Sequence, residues 1–339
     1  MTPEEKFELI TRNLQEVIGE EDLKKKLGEK KEISLYWGTM PTGSISIAYF
    51  FPMLKVADFL KAGCKVKILL ADLHAALDSV AWADLEKRYD YYKEAIVTIL
   101  KTIGVDISKL EFVKGSEMQL KPEYTYDVLQ LSTLTTVAGA TKAASEVVKA
   151  GKNPKVASLI YPLMQVMDEE YLQVDAQFGG MDQRKIMVLA REVLPKIGYE
   201  ARIELINPII RGLVGEKMSS SIKASKIDLM DDEEEVKKKI NKADCVAGDS
   251  NNGLMALLKY FLFVYKGDRG ESFTIERPEK FGGNLTYKNY EEVEKDFVEQ
   301  KLHPMDLKNG IAKEINVLLK SFRENKELKK LHDLAYPSD

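Results

Sequence analysis

The sequence contains few of the residues that form disulfides or metal sites. Among 339 residues there are 2 cysteines and 3 histidines, and Cys64 and Cys245 are far apart in the chain. Separated single cysteines are typical of reduced thiols in a cytosolic setting, so we expect a cytoplasmic location. Structural zinc sites need ligands at short, regular spacings, and no such spacing occurs, so no structural metal is expected.

Long apolar runs and an excess of basic charge are missing as well. No apolar run reaches the ~18 residues of a membrane-spanning helix. The acidic N-terminus fits neither a secretory signal nor a transit peptide. The net charge of −4 argues against a general nucleic-acid coat, although a local basic face remains compatible with RNA binding. We therefore expect neither a membrane nor DNA as a partner.

The composition is that of a folded protein of about two domains, with 45% hydrophobic and 31% charged residues. Residues 1–230 alternate short apolar strands, such as 33–37 and 66–71, with longer helices. This alternation predicts an α/β fold with a Rossmann-like, doubly wound parallel sheet that binds ligands at the C-terminal strand ends. Helical patterns dominate afterwards, so we place a smaller, mainly helical domain at 231–339.

The strongest local signal is a lysine followed by clustered hydroxyl groups. It consists of Lys217, Met218, Ser219, Ser220 and Ser221. The ammonium group suits the charge of a triphosphate, the hydroxyls can position its oxygens, and a loop can close over the ligand. The alternative interpretation is a serine-rich surface loop, which this motif alone does not exclude.

A second signal lies near the N-terminus. Tyr36, Thr42 and Gly43 fall at the end of the first strand and in the turn towards its helix, where a helix N-terminus can receive an anion. Together with the distant lysine–serine motif, this is the layout of class I aminoacyl-tRNA synthetases. The chain resembles the tyrosyl-tRNA synthetases of archaea and of the eukaryotic cytosol. The matching stretches follow one another along essentially the whole chain, at 36–38, 71–75, 161–165, 175–185, 215–221, 277–283 and 303–308.

The resemblance implies an enzyme that activates L-tyrosine with ATP and transfers it to tRNA-Tyr. Tyr36 and Asp168 are implied to hydrogen-bond the phenol of tyrosine, and Tyr161, Gln165 and Gln183 to hold its ammonium and carboxylate groups. The residues support part of this independently, because positions 161, 165 and 168 share one face of a helix. The alternative interpretation of this face is a half-buried amphipathic helix with satisfied polar groups.

An ATP site is implied in the same way. Asp182 would bind the ribose, and the glycines before it would allow close backbone approach; its alternative role is a helix cap. The other residues implied in ATP binding or catalysis are Thr42, Gly43, Ser46, Tyr49, Gly180, Lys217, Met218, Ser219, Ser220 and Ser221. Mg²⁺ would arrive with ATP and keep most of its waters, so it leaves little trace in a sequence.

The second domain is implied to bind the anticodon of the tRNA. An aromatic ring can stack on a splayed base and an aspartate can accept its hydrogen bonds. The matching residues are Phe281, His303, Pro304, Met305 and Asp306. The alternative interpretation is that Phe281 fills a core and that His303 and Pro304 only start a helix. The segment 118–151 matches a dimer-forming insertion, so a homodimer is expected.

The chain departs from the family pattern in the first ATP motif. Ser46 stands where relatives have a histidine and Ser44 where they have a basic residue, so the charge that would face ATP phosphates is missing. The alternative function is therefore a catalytically attenuated synthetase-like protein, natural or engineered, that binds tyrosine or tRNA. Ala76 is a lesser departure, and His74 near the expected pocket is most simply a packed or hydrogen-bonded residue.

Overall fold

A six-stranded sheet forms the centre of the N-terminal part. The computed structural model describes residues 1–148, 153–215 and 226–337. The strand order is β1-β6-β5-β2-β3-β4, and all neighbours are parallel except β1, which pairs antiparallel with β6. The strands are β1 (Glu16–Ile18), β2 (Ser34–Thr39), β3 (Lys65–Leu70), β4 (Leu110–Lys114), β5 (Ala176–Gly180) and β6 (Ile203–Asn207). A separate antiparallel pair is β7 (Phe273–Ile275) and β8 (Leu285–Tyr287).

Helices connect the parallel strands and make up most of the C-terminal part. Within the described residues they are α1 (Pro3–Thr11), α2 (Glu20–Gly28), α3 (Phe50–Lys61), α4 (Asp72–Leu77), α5 (Leu85–Ile103), α6 (Gly115–Gln119), α7 (Pro122–Leu134), α8 (Val137–Ala144), α9 (Ala157–Tyr171), α10 (Arg184–Val193), α11 (Glu233–Lys242), α12 (Gly253–Leu257), α13 (Phe263–Gly267), α14 (Tyr290–Val298), α15 (Pro304–Glu324) and α16 (Lys326–Ala335). Short 3₁₀ turns precede α3 at Ile47–Tyr49 and α10 at Met181–Gln183, and a π-helical turn joins α12 to α13.

Local sequence signals explain where several helices begin and end. Gly63 and Gly104 follow α3 and α5 with φ of +88° and +81°, a conformation that disfavours other residues and ends a helix. Helix α11 begins after Asp232, whose side chain accepts a hydrogen bond from the backbone N–H of Glu235. The acidic first turn and basic last turn of α11 follow the order that the helix dipole favours.

The predicted α/β fold with a parallel sheet and a helical C-terminal part is confirmed. The strands expected around 33–37 and 66–71 correspond to β2 and β3, which pair in parallel. Strand β1 was not expected because it has only three residues, all of them half-buried, and so lacks a strong apolar signal. Strands β7 and β8 are equally short and lie in a stretch rich in glycine and proline.

The described residues pack into two compact units. The first comprises 1–42, 55–93 and 105–209, and the second comprises 43–54, 94–104 and 210–339. The segment 43–54 belongs to the second unit because Phe50, fully buried, stacks on Phe261 at 4.7 Å and meets the edge of Phe322 at 5.9 Å between ring centroids. The boundaries of these two packing units therefore do not coincide with residue 230. The predicted division into a first domain at 1–230 and a second at 231–339 stays a prediction.

Two classes of feature are not found in the part of the chain that the structure describes. None of the helices there combines the length and apolar character that crossing a membrane requires. Nor do three or more histidine, cysteine, aspartate or glutamate side chains come together there as a metal site would need.

Candidate active site

One face of helix α9 carries three polar residues into the interior of the first unit. Tyr161, Gln165 and Asp168 are all buried, with Asp168 only 1% exposed. Their spacing of four and three residues places them one above the other on the helix. The structure therefore brings these three predicted residues together on one helix, while their roles towards a ligand stay predictions.

The carboxyl group of Asp168 is held by two neighbouring helices. The Nε2 of Gln119 donates to Oδ1 at 2.8 Å, and the hydroxyl of Tyr124 lies 2.8 Å from the same oxygen and 2.6 Å from the carbonyl oxygen of Met164. Burial raises the pKa of Asp168 to about 7, although both hydrogen bonds favour the charged form and lower it. The carboxyl group can thus accept or donate a hydrogen bond near neutral pH.

His74 belongs to the same buried network. The second amide hydrogen of Gln119 points to Nδ1 of His74 at 3.2 Å, so this nitrogen accepts and the ring proton lies on Nε2. Burial lowers the pKa of His74 to about 4, which keeps the ring neutral. Its Nε2 has no hydrogen-bond partner among the described residues and lies 3.8 Å from Oδ2 of Asp168. The histidine is hydrogen-bonded, as expected, and its Nε2 lies near Asp168.

The hydroxyl of Tyr36 completes this end of the site. Tyr36 on β2 is 1% exposed, and its hydroxyl has no hydrogen-bond partner in the described structure. Burial raises the pKa of Tyr36, and the charges of Glu169 and Asp168 raise it further. An unpaired buried hydroxyl beside Asp168 costs free energy unless a ligand group or water satisfies it. A ligand hydroxyl can satisfy it, since such a group can both donate and accept.

The other end of the site contains two amide side chains. Gln165 donates through Nε2 to Oε1 of Gln183 at 3.1 Å, and Gln183 donates to Oδ1 of Asp182 at 3.4 Å. The hydroxyl of Tyr161 donates to the sulfur of Met40 at 3.4 Å, a weak bond that a better acceptor can replace. Helix α9 is thereby linked to the turn that follows β5, at the C-terminal edge of the sheet.

The glycines before this turn are required by close packing. A Cβ atom on Gly180 would lie 2.7 Å from Oδ1 of Asp182, and one on Gly179 would lie 2.7 Å from the terminal methyl of Met187. Either side chain would have to displace its neighbour. Gly180 therefore permits the position of the Asp182 carboxylate, which is the residue predicted to bind ribose.

The first ATP motif lies in the second unit and is paired with a later segment. Backbone bonds join Ile47 to Ile227 and Leu229 to Ile45, and Ser46 is bridged to Asp228. Ser46 is buried, and its side chain does not cap the 3₁₀ turn at Ile47–Tyr49 that it precedes.

A lysine from the later segment reaches this motif. The Nζ of Lys226 donates to the backbone carbonyl of Ser44 at 2.7 Å and lies 3.8 Å from Asp228, while the hydroxyl of Ser44 donates to Asp228 at 3.0 Å. Burial lowers the pKa of Lys226, against the opposing effect of Asp228. A cation thus lies beside the position where the family pattern has a basic residue. Thr42 belongs to the first unit, where its carbonyl accepts from Arg88.

The residues predicted to read an anticodon lie close together in the second unit. His303 caps α15 by accepting the N–H of Met305 at Nδ1, and Pro304 is the first helical residue. Arg277 donates through Nε to the carbonyl of Gly283 at 3.0 Å and lies 3.8 Å from Asp306, which ties the turn 277–283 to the start of α15.

The exposure of Phe281 decides between its two interpretations. The ring is 60% exposed, with the ammonium group of Lys280 5.0 Å from its centroid. Phe281 therefore does not fill a core within the described structure. His303 and Pro304 do start a helix, as the alternative interpretation expected, but the aromatic ring of Phe281 is exposed.

Comparisons with known proteins match this arrangement along the chain. A family described as "tRNA synthetases class I (W and Y)" matches residues 28–320. The chain is 52% identical over 342 residues to a cytoplasmic tyrosine–tRNA ligase of Gallus gallus. The match includes 99% of this chain but 64% of that relative. It is 49% identical to the cytoplasmic tyrosine–tRNA ligase of Saccharomyces cerevisiae, and this match includes 99% of this chain and 88% of that relative. The chain belongs to the tyrosyl-tRNA synthetases of class I.

Solved structures of tyrosyl-tRNA synthetases have the same fold. The synthetase of Archaeoglobus fulgidus, complexed with L-tyrosine, superposes with a TM-score of 0.87 at 39% identity, over 97% of this chain and 99% of that one. The synthetase of Pyrococcus horikoshii, also complexed with L-tyrosine, gives a TM-score of 0.91 at 30% identity, over 99% of both chains. The chain nevertheless spans less than two thirds of the length of the chicken relative.

Three residues of this synthetase fold were missed from the sequence. Gln119 and Tyr124 stand in helices without a motif, and only the packing of α6 and α7 brings them to Asp168. Lys226 lies in the segment 223–239, which is rich in charged residues. A lone polar residue in such contexts carries no local signal that would single it out. The predicted residues Lys217, Met218, Ser219, Ser220 and Ser221 lie outside the described residues.

The raised pKa of Asp168 predicts how the stability of an Asp168→Asn variant, compared with the parent, depends on pH. The folded protein keeps a proton that the unfolded chain loses above pH ~3.9, so the parent loses stability as pH rises from there to about 7. The amide cannot ionise and can still accept from Gln119 and Tyr124. The variant should therefore gain stability relative to the parent over this range, by up to ~4 kcal/mol, measured by denaturant unfolding at several pH values.

Asp106→Asn is the matched control, because its carboxylate accepts from the N–H and hydroxyl of Ser108, which lower its pKa. That stabilisation is present above the unfolded pKa, so this variant should be less stable than the parent at neutral pH. An Asp168→Asn gain that stays constant with pH would contradict the assigned protonation.

Proposed function

We propose that the chain is a tyrosine–tRNA ligase that acts in the cytoplasm, as its relatives named above do. A carboxylate oxygen of L-tyrosine attacks the α-phosphorus of ATP, giving tyrosyl-adenylate and pyrophosphate. A terminal ribose hydroxyl of tRNA-Tyr then attacks the tyrosyl carbonyl, and AMP leaves. The observation that carries this proposal is that the first unit holds two buried polar groups, the Asp168 carboxyl group and the unpartnered hydroxyl of Tyr36, in a chain of the tyrosyl-tRNA synthetase family.

Selection of tyrosine over phenylalanine follows from these buried polar groups. A phenol hydroxyl at Tyr36 and Asp168 would satisfy both, whereas the bare ring of phenylalanine would leave them unpaired without water. Sites built in this way, those of tyrosyl-tRNA synthetases among them, reject the analogue by ~10⁴–10⁵. Gln165, Gln183 and Tyr161 supply amides and a hydroxyl for the amino and carboxylate groups.

Activation requires charge stabilisation on the phosphates of ATP. Asp182 and Gly180 are proposed to hold the adenosine, and Thr42, Gly43, Ser46 and Tyr49 to line the phosphates. Lys217, Met218, Ser219, Ser220 and Ser221 are proposed to complete phosphate binding, and Mg²⁺ to accompany ATP. These residues form no covalent intermediate, so their contribution is positioning and electrostatic stabilisation.

A catalytically attenuated binding protein is the second candidate. The observation that favours it is the engagement of Ser44: its hydroxyl donates to Asp228 and its carbonyl accepts from Lys226. Tyrosine-dependent exchange of pyrophosphate into ATP separates the two, because a protein that only binds tyrosine or tRNA gives none.

A homodimer is proposed from an exposed apolar surface in the first unit. Helices α7 and α8, with the residue that follows α6, carry large hydrophobic side chains that are 42–69% exposed. These residues are Leu120, Tyr126, Leu129, Leu134 and Val137. A surface of this kind is typical of a contact with another chain, and a second copy related by a two-fold axis would cover it.

Asp168→Ala tests amino-acid recognition. Removing the carboxyl group should reduce discrimination between tyrosine and phenylalanine by at least ~10²-fold, while the KM for ATP changes little, because its proposed contacts come from other residues. Pyrophosphate exchange with each amino acid measures both quantities. Equal discrimination in variant and parent would remove the role assigned to Asp168. Exchange without any amino-acid dependence in the parent would remove the proposed function.

Ser46→His tests the altered motif. A preorganised donor to phosphate oxygens typically contributes ~2.7–4 kcal/mol, or roughly 10²–10³ in rate, and a serine recovers only part of that. We expect the histidine variant to form adenylate at least roughly tenfold faster in single turnover at saturating ATP, with unchanged tyrosine affinity. Ser46→Ala, the matched control, should be slower than the parent. An unchanged or lower rate in the histidine variant would show that the motif is organised around serine.

Phe281→Ala tests the proposed anticodon contact. Stacking on a base contributes ~1–3 kcal/mol, so the KM for tRNA should rise by roughly fivefold or more. Tyrosine-dependent exchange should stay nearly unchanged, because that step needs no tRNA. Phe281→Tyr keeps a stacking ring and should behave as the parent. If exchange falls as much as charging in the alanine variant, then Phe281 acts on the fold and not on RNA.

A Tyr126→Glu, Leu129→Glu double variant tests the homodimer. Two buried charges in a symmetric contact repel and lose water, so the variant should be a monomer at concentrations where the parent is a dimer. Light scattering at micromolar concentration gives the mass. Val317→Glu, an equally exposed apolar residue of the second unit, should leave the mass unchanged. A monomeric parent would refute the proposal.

A further inference from the structure

Helices α7 and α9 are joined by two hydrogen bonds between tyrosine and aspartate side chains. The hydroxyl of Tyr124 on α7 bonds Asp168 on α9 at 2.8 Å. The hydroxyl of Tyr171 on α9 donates to Oδ2 of Asp127 on α7, also at 2.8 Å. On each helix the two residues are three positions apart and so share one face. The second bond therefore lies one turn beyond the first, with tyrosine and aspartate exchanged between the helices.

The rings of the two tyrosines pack against each other between these bonds. Tyr124 and Tyr171 meet edge to face, with ring centroids 4.9 Å apart and 67° between the ring planes. Tyr124 is 1% exposed, so its ring is enclosed by close-packed neighbours. A displacement of Tyr171 would therefore be passed to Tyr124 and to the hydroxyl that bonds Asp168.

Asp127 has a second partner outside the two helices. The hydroxyl of Tyr199, in the segment before β6, donates to the same oxygen at 2.7 Å. The bond to Asp127 raises the pKa of Tyr199 to about 12, and burial together with the same kind of bond raises the pKa of Tyr171, so both hydroxyls stay protonated and can donate. Tyr171 and Tyr199 thus make equivalent bonds to one atom, but only Tyr171 belongs to α9.

Helix α7 has one buried face and one exposed face. Its buried residues are Tyr124, Asp127 and Leu131, whereas Tyr126 and Leu129 are 68% and 61% exposed. Apolar packing such as that of Leu131 is not directional, whereas a hydrogen bond restricts both distance and angle. The bonds of Asp127 therefore restrict the position of α7 beside α9, one turn from the Tyr124 hydroxyl.

We propose that Asp127, through its bond with Tyr171, is a positioning residue for Tyr124 and sharpens the selection of tyrosine over phenylalanine. Tyr124 supplies one of the two hydrogen bonds that hold Asp168, so a displaced Tyr124 leaves that carboxyl group less firmly oriented towards a phenol hydroxyl. Asp127 acts through helix α7 and does not touch the substrate. The effect on tyrosine rests on the proposed function, whereas the bonds between the helices rest on the geometry of the first unit.

Thermal unfolding tests the bond between Asp127 and Tyr171 without any substrate. Asp127→Leu lacks the acceptor and Tyr171→Phe lacks the donor, so each variant should have a lower Tm than the parent. The double variant should lose little more than Asp127→Leu alone, because the bond is already absent there. Asp127→Asn keeps an acceptor oxygen and should lose less than Asp127→Leu. A double variant whose loss equals the sum of the two single losses would overturn the bond.

Selection between amino acids tests the positioning role. In pyrophosphate exchange, Tyr171→Phe should reduce the ratio of kcat/KM for tyrosine to that for phenylalanine roughly tenfold, with the KM for ATP unchanged. Tyr199→Phe, the matched control, removes an equivalent bond to the same oxygen but none to α9, and should keep this ratio within about twofold of the parent. Asp127→Asn should behave as the parent and Asp127→Leu as Tyr171→Phe. An equal loss in Tyr171→Phe and Tyr199→Phe would overturn the positioning role.

A Tyr124→Phe background tests whether the effect passes through the Tyr124 hydroxyl. That hydroxyl is absent in the background, so adding Tyr171→Phe should cause no further loss of selection. A further loss of roughly tenfold would show that Tyr171 acts by another route and would overturn the proposal. A parent without tyrosine-dependent exchange would remove the proposed function and the positioning role together. The unfolding cycle would then still decide whether Asp127 and Tyr171 hold the two helices together.

Discussion

Asp168 keeps an ionisable carboxyl group where water does not reach, and much of the first unit is arranged around that constraint. Burial alone would force the group to stay neutral, but the hydrogen bonds from Gln119 and Tyr124 offset part of the penalty and leave its pKa at about 7. Because Gln119 uses its other hydrogen on His74, the same contact also fixes the proton of that ring on Nε2. Helices α4, α6, α7 and α9 are thus linked through one carboxyl group, and a change at Asp168 affects all four.

The neighbouring residue shows why two adjacent carboxyl groups on one helix behave differently. Successive residues of a helix point about 100° apart, so Asp168 faces the helices α6 and α7 while Glu169 faces the sheet. Asp168 meets donors, whereas the carboxyl oxygens of Glu169 have no hydrogen-bond partner in the described structure. Tyr36 lies between the two environments and is affected by the charges of both residues. A site that must present unpaired polar groups to a ligand is less stable than a satisfied core, which is a usual cost of function.

The fold and the shared helix face of Tyr161, Gln165 and Asp168 could be predicted because their signals are local. Strands β2 and β3 are short apolar runs, and the spacing of Tyr161, Gln165 and Asp168 is visible in the sequence. The contacts of Gln119 and Tyr124 with Asp168 could not be predicted, because they depend on helix packing across long separations in the chain. The exposure of Phe281 could not be predicted either, since an aromatic residue in a turn occurs in cores and on surfaces alike.

The altered first motif is electrostatically balanced within its own surroundings. Lys226 and Lys239 are matched by Asp228 and Asp231, with Lys239 2.6 Å from Asp231 and the backbone N–H of Asp228 also bound to Asp231. A basic residue at position 44 would add one positive charge beside Asp228, whereas Ser44 adds only a hydroxyl donor to it. The charges of the two lysines and the two aspartates sum to zero, so this cluster has little net charge to attract phosphates. Lys226 cannot replace the missing cation without leaving Asp228 and the carbonyl of Ser44, and burial already disfavours its charged form. Under the proposed function, the motif therefore relies on hydrogen-bond donors more than on charge, which places the chemical demand on Ser46.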